Sequence, residues 1–391
     1  MTKTVAVIGA GIAGISTAYY LAKVGYKVTV IEKEQYPAMK TSFSNGGQIS
    51  VSNSEVWTTW GNVKKGMSWI FKKDAPLLIR PRLDPAQWLW MFKFLYHTAK
   101  GDYQTNTVKT IQMGLEARKM YEEIIKNEDI NFDYNKCGIL HIYKDSSYFA
   151  AAKEVQELYE NSGCEWDIVS TKEIADIDPT LENLGDIVGG VWTQGDSVGD
   201  IHKFCHSLES ILKNKYHVDF IYNENVTDLN NLDYDTVVVA NGIGSVALAK
   251  SIGDRLPIYP VKGYSITINN VETRYLPKVS LLDDQAKIVT ASLGNRLRVA
   301  GTAELSGENY DIRRDRIEPL LNWVSVNFPD INTHDYSQWA CLRPMTPNMM
   351  PIVTQSKKNT KIFYHVGHGH LGWTLSPATA KQVVELIESA T

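Results

Sequence analysis

The 391-residue chain is 43% hydrophobic and 21% charged, an ordinary globular balance that excludes a disordered protein. Its length exceeds what one core usually holds, so two domains are expected. A net charge of -4 excludes a general nucleic-acid binder, which needs a basic excess. Cys137, Cys164, Cys205 and Cys341 lie far apart, which argues against a disulfide framework or a zinc site and fits a cytoplasmic protein with reduced thiols. No apolar run approaches the ~20 residues that span a bilayer.

Thr4–Ile8 (TVAVI) has the β-branched bias of a buried parallel strand. It runs into Gly9-Ala10-Gly11-Ile12-Ala13-Gly14 and a helical stretch to about Val24, which Gly25 stops. Lys27–Ile31 is a second strand, ending at Glu32-Lys33. The whole unit uses the N-terminal apolar run, so a cleaved leader is not expected there. In this spacing the first glycine permits a tight turn, the second lets backbone approach a pyrophosphate, and the third packs helix on strand. The pyrophosphate sits on the helix N-terminus, where the dipole favours negative charge. Glu32 is placed to accept hydrogen bonds from a ribose hydroxyl pair, and its charge disfavours NADP. This unit alone does not separate NAD from FAD.

Between Val56 and Lys100 the composition changes. Five of the ten tryptophans fall here (Trp57, Trp60, Trp69, Trp88, Trp90), with eight Lys/Arg against two Asp, hence +6. Tryptophan with basic residues marks a membrane interface or an anionic partner. Helices packed within the second domain, with a solvated basic face, are the other reading.

Further on, Val218–Tyr222 reads as a strand, with Val226 suited to backbone contact with adenine. Thr236–Ala240 is another, closed by Asn241-Gly242. Ile258–Ile268, Lys287–Ser292 and Arg296–Gly301 read as strands separated by Gly-Asn turns, not as βα units. Lys361–Val366 is a last strand, followed by Gly367-His368-Gly369-His370-Leu371-Gly372-Trp373 and a helix. Three nucleotide-type segments spread over the chain suit an elongated ligand better than a compact NAD domain. His365, His368 and His370 are closely spaced, but three glycines interleave and carboxylates are absent, so no metal is expected.

These segments carry a resemblance. The chain resembles the glycine oxidase and D-amino acid oxidase superfamily of flavoproteins, and within it the D-amino acid dehydrogenases. The resemblance rests on Thr41-Ser42-Phe43-Ser44-Asn45-Gly46-Gly47-Gln48-Ile49, Gly199-Asp200-Ile201-His202-Lys203-Phe204 and Pro260-Val261-Lys262-Gly263-Tyr264-Ser265. It continues in Ala300-Gly301-Thr302-Ala303-Glu304, Leu342-Arg343-Pro344-Met345-Thr346-Pro347 and Gly367 to Thr374. Ser197-Val198 and Asn348 depart from the pattern, both expected near the substrate side.

The resemblance implies an α/β and α+β protein with FAD as cofactor. A Rossmann-type FAD-binding domain is expected from 1–55, 200–254 and 340–391. A mixed β-sheet substrate domain is expected from 56–199 and 255–339, laid across the flavin. The implied reaction is oxidative deamination of a small D-amino acid by hydride transfer from the α-carbon to flavin N5. Electrons would pass to a quinone or another membrane carrier, through peripheral contact of residues 56–100 with the inner face of the cytoplasmic membrane. An O₂-using oxidase of the glycine or sarcosine type and a non-catalytic flavin-binding subunit remain open.

Such chemistry needs no protein nucleophile, because the cofactor does the hard step. The substrate carboxylate wants a planar bidentate donor, and Arg343 is the candidate, in a turn stiffened by Pro344 and Pro347. Tyr264, on a strand facing the flavin, is either a second substrate contact or a packed aromatic. Gly9, Gly11, Gly14, Glu32, Lys33, Val226, Ala240, Asn241 and Gly242 are expected at the nucleotide end. Thr41, Ser42, Asn45, Gly46, Gly47 and Gln48 are expected beside phosphate and isoalloxazine, with Gly367, His368, Gly369, Leu371, Gly372, Trp373 and Thr374 at the far side of the ring. Ser376 and Pro377 read as the cap and first residue of the last helix, whose positive end would stabilise reduced flavin. Arg298 and Glu304 are read as structural pairs. A thioether from Cys341 to the flavin stays open.

Overall fold

Thr4–Ile8 pairs in parallel with Lys27–Ile31 on one side and Thr236–Val239 on the other in the computed structural model, which describes residues 3–69, 76–182 and 184–390. Ile362–Val366 adds to Thr236–Val239 and Asp219–Ile221 to Lys27–Ile31, with Ile352–Gln355 antiparallel at the edge. The strands are near-continuous apolar runs because both faces of this six-stranded sheet are covered. On one face Val5, Val7, Val28 and Val30 pack with Ile15 and Ala18 of the Ile12–Lys23 helix, Leu208 of Ile201–Asn214 and Val383 of Gly372–Ala390. On the other, Ala6, Ile8, Val237 and Val239 pack with Leu229, Leu248 and Ile258.

The second sheet has nine strands, mostly antiparallel, with Tyr259–Ile268 between Arg296–Leu305 and Tyr336–Met345. It is mixed, because Ser280–Asp283 runs parallel to Ile139–Tyr143 and Leu77–Ile79 parallel to Ala303–Leu305. Side chains alternate across it. Tyr264, Ile266 and Ile268 face the Arg314–Asn327 helix, packing with Ile317, Leu320 and Trp323. Val261, Gly263, Ser265 and Thr267 therefore face the other way, toward the Thr41–Gln48 loop, where Ser265 Oγ donates to Ser44 O at 2.7 Å. The expected boundary at residue 340 falls inside the Tyr336–Met345 strand, whose pairing with Tyr259–Ile268 assigns Arg343 to the second sheet.

Two local expectations need correction. The last helix begins at Gly372, so Ser376 and Pro377 lie inside it, and Ser376 Oγ donates back to Gly372 O at 2.5 Å. Pro377 has no N–H for the Trp373 carbonyl, and the hydroxyl of Tyr121, from the Tyr103–Glu128 helix, donates to that oxygen instead. The second correction concerns residues 56–100. They do pack on the second sheet through Leu77–Ile79 and Trp90, whose Nε1 donates to Met345 O at 2.8 Å. Yet the Pro85–Lys100 helix turns Trp88, Leu89, Phe92 and Tyr96 outward at helical spacing, with Phe92 64% exposed. Asp84 caps this helix by accepting from Ala86 N, and left-handed Gly101 ends it. Lys72 and Lys73 lie outside the described residues. Among the described residues no helix is long and apolar enough to cross a membrane.

Tyr121→Phe removes the one donor that compensates for Pro377 and leaves a buried carbonyl unpaired. Calorimetry is expected to show a loss of about 1–3 kcal/mol, the cost of an unsatisfied buried acceptor, and an unchanged melting temperature would show that this bond carries no weight.

Candidate active site

The glycine turn after the first strand is built as its spacing demands. A Cβ on Gly14 would stand 1.8 Å from Gly9 O, so only glycine lets helix and strand close at that point. Gly11 stands at the N-cap and brings no side chain of its own to the first-turn donors, of which Ser42 takes only Ile12 N. Ser42 Oγ accepts from Ile12 N at 3.1 Å, which brings the Thr41–Gln48 loop to the helix start. Glu32 sits at the end of the second strand, accepting from Ala10 N at 2.6 Å and Glu34 N at 3.0 Å, with exposed Lys33 beside it. Asn241 lies against Gly9 with a buried, unpartnered Oδ1, and Ala240 N donates to Ile8 O. Gly242 follows Asn241 in the left-handed region, and half-buried Val226 packs beside the strand ends.

The Thr41–Gln48 loop then runs across the second sheet. Thr41 Oγ1 donates to Leu342 O at 2.8 Å and lies 3.4 Å from Cys341 Sγ. Asn45 Oδ1 accepts from Gly47 N, and Asn45 O accepts from Arg298 Nη1 at 2.9 Å. Gly46 and Gly47 lie against Val289 and Ala291 of the sheet. Gln48 spends its side-chain amide on Ser280 Oγ and Leu281 O, so it anchors the loop and presents no free donor there. Sequence reasoning missed the part played by Arg298. Its partners are the neutral oxygens of Thr267 and Asn45, not an acid, and burial pushes its pKa down to about 10. Glu304 pairs instead with Lys262 and Arg80.

The C-terminal segment closes the cleft. Gly367 and Gly369 take left-handed conformations, and Gly369 N donates to Pro344 O at 3.0 Å. Gly372 starts the last helix facing Ile12, Leu371 is buried, and Ser50 N donates to Thr374 Oγ1 at 3.1 Å. The Trp373 ring points away, into Tyr121, Phe132 and Phe204, so only its backbone is available to a ligand. His365 bridges Thr17 and Thr379 at 2.8 Å each, and His368 also reaches Thr379. Burial lowers both rings, His368 to about 4, which keeps them neutral.

Arg343 lies on the loop-facing side of its strand, opposite Val261 and diagonal to Gly263, whose own partner is Cys341. Its Nη1 donates to Thr302 O at 3.0 Å, and no carboxylate lies within ion-pair distance of it among the described residues. Desolvation pulls its pKa down to about 10. A guanidinium desolvated without an acid is costly, and a site that binds a carboxylate supplies the missing charge. Trp57 stacks on His370 at 4.8 Å, and burial, with the charge of Arg343 adding to it, lowers that ring's pKa to about 4. Cys341 is buried on the same side, its thiol pushed up by desolvation and therefore a weak nucleophile.

Tyr264 is a correction. Strand alternation points it to the opposite face, where its hydroxyl donates to Glu304 Oε2 at 2.5 Å within the apolar core under the Arg314–Asn327 helix. Lys262 shares that face, bonded to Asn309 Oδ1 and Asp311 O. A recess of about 520 Å³ lined by Lys144, Arg316 and Trp323 also lies on the helix side and holds none of the expected site residues. Of the departures noted above, Ser197–Val198 pairs with Gln48–Ile49 and Asn348 pins its own turn through Met350 N.

A Rossmann-type sheet, a glycine cradle and an acid-free arginine under an apposed sheet define a flavin-dependent oxidoreductase. The chain belongs to the FAD dependent oxidoreductase family (DAO), whose match spans residues 4–386, and FAD is its cofactor. It is 45% identical to D-amino acid dehydrogenase 3 of Mesorhizobium japonicum, over 98% of this chain and 96% of that protein. It is 35% identical to D-amino acid dehydrogenase of Dechloromonas aromatica, with the same coverage. Among solved structures, the glycine oxidase of Bacillus cereus superposes with a TM-score of 0.75 at 17% identity, covering 100% of this chain and 96% of that one. The L-α-glycerophosphate oxidase of Mycoplasma pneumoniae, solved with FAD bound, superposes at 0.72 and 18% identity, covering 99% and 95%.

His365 and His368 have pKa values below the ordinary 6.5, so their contribution to stability is complete above that pH and is lost as pH falls toward about 4. Both lie between the first and last helices, so release of flavin, followed by its fluorescence, is expected to rise through this window. His368→Asn is expected to flatten the profile, and an identical profile would exclude the histidine as its source.

Proposed function

We propose that this protein oxidises the Cα–N bond of small D-amino acids, and Arg343 is the observation that carries the reading. Its guanidinium is desolvated, lacks an acid and faces the loops that hold the cofactor. Full-length likeness to proteins named D-amino acid dehydrogenase supports the substrate class and the D configuration. FAD supplies the two-electron sink that takes the hydride from the substrate Cα. The protein contributes position. Arg343 grips the carboxylate with two parallel N–H donors, which fixes the substrate in register. Arg298 pins the Asn45 carbonyl and with it the loop expected beside the ring. The Trp57–His370 stack takes up space beside Arg343, which favours a short side chain. Loss of the hydride and of a proton from nitrogen leaves an imino acid, which water hydrolyses to an oxo acid and ammonia.

The electron acceptor in this reading is a quinone or another carrier in the membrane. The support is the outward face of the Pro85–Lys100 helix, where Trp88, Leu89, Phe92 and Tyr96 are exposed with Lys64, Lys65 and Arg82 in the same segment. Apolar side chains enter the headgroup boundary, and each basic residue near anionic lipid contributes about 1 kcal/mol, screened by salt.

Arg343→Lys keeps the charge but loses the fork. With FAD retained, kcat/KM for D-alanine with a soluble dye is expected to fall roughly tenfold to a hundredfold, matching ~1.5–3 kcal/mol for one charge-assisted pair. Unchanged kinetics would clear Arg343 of carboxylate binding. Separately, sedimentation with anionic liposomes should weaken as salt rises, and turnover should be faster with quinone than with O₂. Replacing Lys64, Lys65, Lys72 and Lys73 by glutamate should reduce liposome binding and quinone turnover while dye activity persists. Sedimentation equal to the parent's would assign the segment to internal packing, and fast peroxide release would favour an oxidase.

A further inference from the structure

Arg343 rests on a seat made of backbone, and we propose that Gly263 and Thr302 are the positioning residues that build it. A Cβ on Gly263 would lie 2.3 Å from Arg343 Nη2, 2.5 Å from Cζ and 3.0 Å from Nη1. The guanidinium therefore lies flat across the Gly263 Cα, in the volume that any other side chain would fill. Space, not an unusual φ, is what requires glycine here.

The neighbouring strand completes the seat. Lys262 pairs with Glu304 and Tyr264 with Gly301, so two residues, Thr302 and Ala303, stand opposite the single Gly263. This is a β-bulge, a device that re-aims groups beside functional sites. Thr302 sits in it at φ +64°, a left-handed conformation that a β-branched residue adopts only under strain. The turn aims Thr302 O at Arg343 Nη1, at 3.0 Å. The freed edge is not wasted: Ala303 pairs with Leu77, and its N–H donates to Pro76 O at 2.7 Å.

Backbone thus fixes the guanidinium plane and engages one Nη1 donor. Among the described residues no protein acceptor takes the Nε and Nη2 edge, which remains as the two-pronged face for a carboxylate. Gly263 and the bulge set the plane in which the substrate carboxylate must lie. This inference rests on Arg343 as the carboxylate receptor.

A double-mutant cycle on the FAD-loaded enzyme tests both levels. The variants are Gly263→Ala, Arg343→Lys and the pair, read by kcat and KM for D-alanine with a soluble dye. Binding of benzoate, a carboxylate without an amine, is read by the flavin spectrum. Gly263→Ala is expected to retain flavin and raise KM and the benzoate Kd together by tenfold or more, with kcat within threefold. In the Arg343→Lys background it should add less than twofold. Equal effects in both backgrounds would overturn the seat while leaving Arg343 its role. An Arg343→Lys enzyme with parental KM and benzoate binding would instead overturn the carboxylate reading. If Gly263→Ala loses flavin, Thr302→Pro takes its place in the cycle, because the proline ring fixes φ near about −65° and abolishes the turn. Additivity there would overturn the proposal in the same way.

Discussion

The ten-residue antiparallel pairing of Tyr259–Ile268 with Tyr336–Met345 is the constraint on which the site depends. A register slip of one residue would send every side chain to the other face. In the observed register Arg343, Cys341 and Trp339 share a face with Gly263 and Ser265. Phe43 packs on Trp339 at 4.4 Å and Thr41 bonds Leu342 O, so the Thr41–Gln48 loop is fastened to the same strand that carries Arg343. The strand then ends where Gly369 N meets Pro344 O, which hands the register on to the C-terminal segment. The Thr41–Gln48 loop, Arg343 and the C-terminal segment are in this way referred to one ladder of hydrogen bonds.

Some acids buried elsewhere in the protein have cations, as Asp196 has Arg118 at 2.6 Å and Glu304 has Lys262 and Arg80, while Asp178 rests on backbone N–H groups and the Thr180 hydroxyl. The two arginines facing the cofactor loop, Arg298 and Arg343, have carbonyl and hydroxyl oxygens instead. Asp200 still acts on Arg298 at longer range, whereas Arg343, bonded only to a neutral carbonyl, keeps its charge without a carboxylate within ion-pair distance among the described residues. Folding bears the desolvation cost, and binding recovers part of it.

The nucleotide end was legible from residues 4 to 33 because its chemistry is local: each glycine answers to a turn, a close approach or a helix start within a few positions. The strand runs of the second domain were legible too, though Arg296–Gly301 extends to Leu305 because the bulge lets the strand continue toward Leu77–Ile79. What failed were statements about direction. Tyr264 reads as apolar and polar at once, and only the helix across the sheet decides that it points inward to Glu304. Ser376-Pro377 looks like a helix start by composition, but Tyr121, 256 positions away in sequence from Pro377, makes an interior proline tolerable. The role of Arg298 gave no local signal, since its partner Asn45 lies on another segment. The exposed face of Pro85–Lys100 was visible as excess apolarity, whereas the inward turn of Trp90 was not.

The central position of Thr4–Ile8 in its sheet has a consequence for how the chain is made. Its neighbour Thr236–Val239 and the covering helix Gly372–Ala390 come hundreds of residues later, yet the Ile12–Lys23 helix packs against that last helix. During synthesis the glycine turn emerges early but lacks its second strand partner until Val239 and its last covering helix until Ala390. Contacts of such sequence separation form slowly, and unpaired strand edges associate wrongly while they wait. A ligand held between segments from both extremes would latch the final folding step, favouring the assembled sheet by mass action.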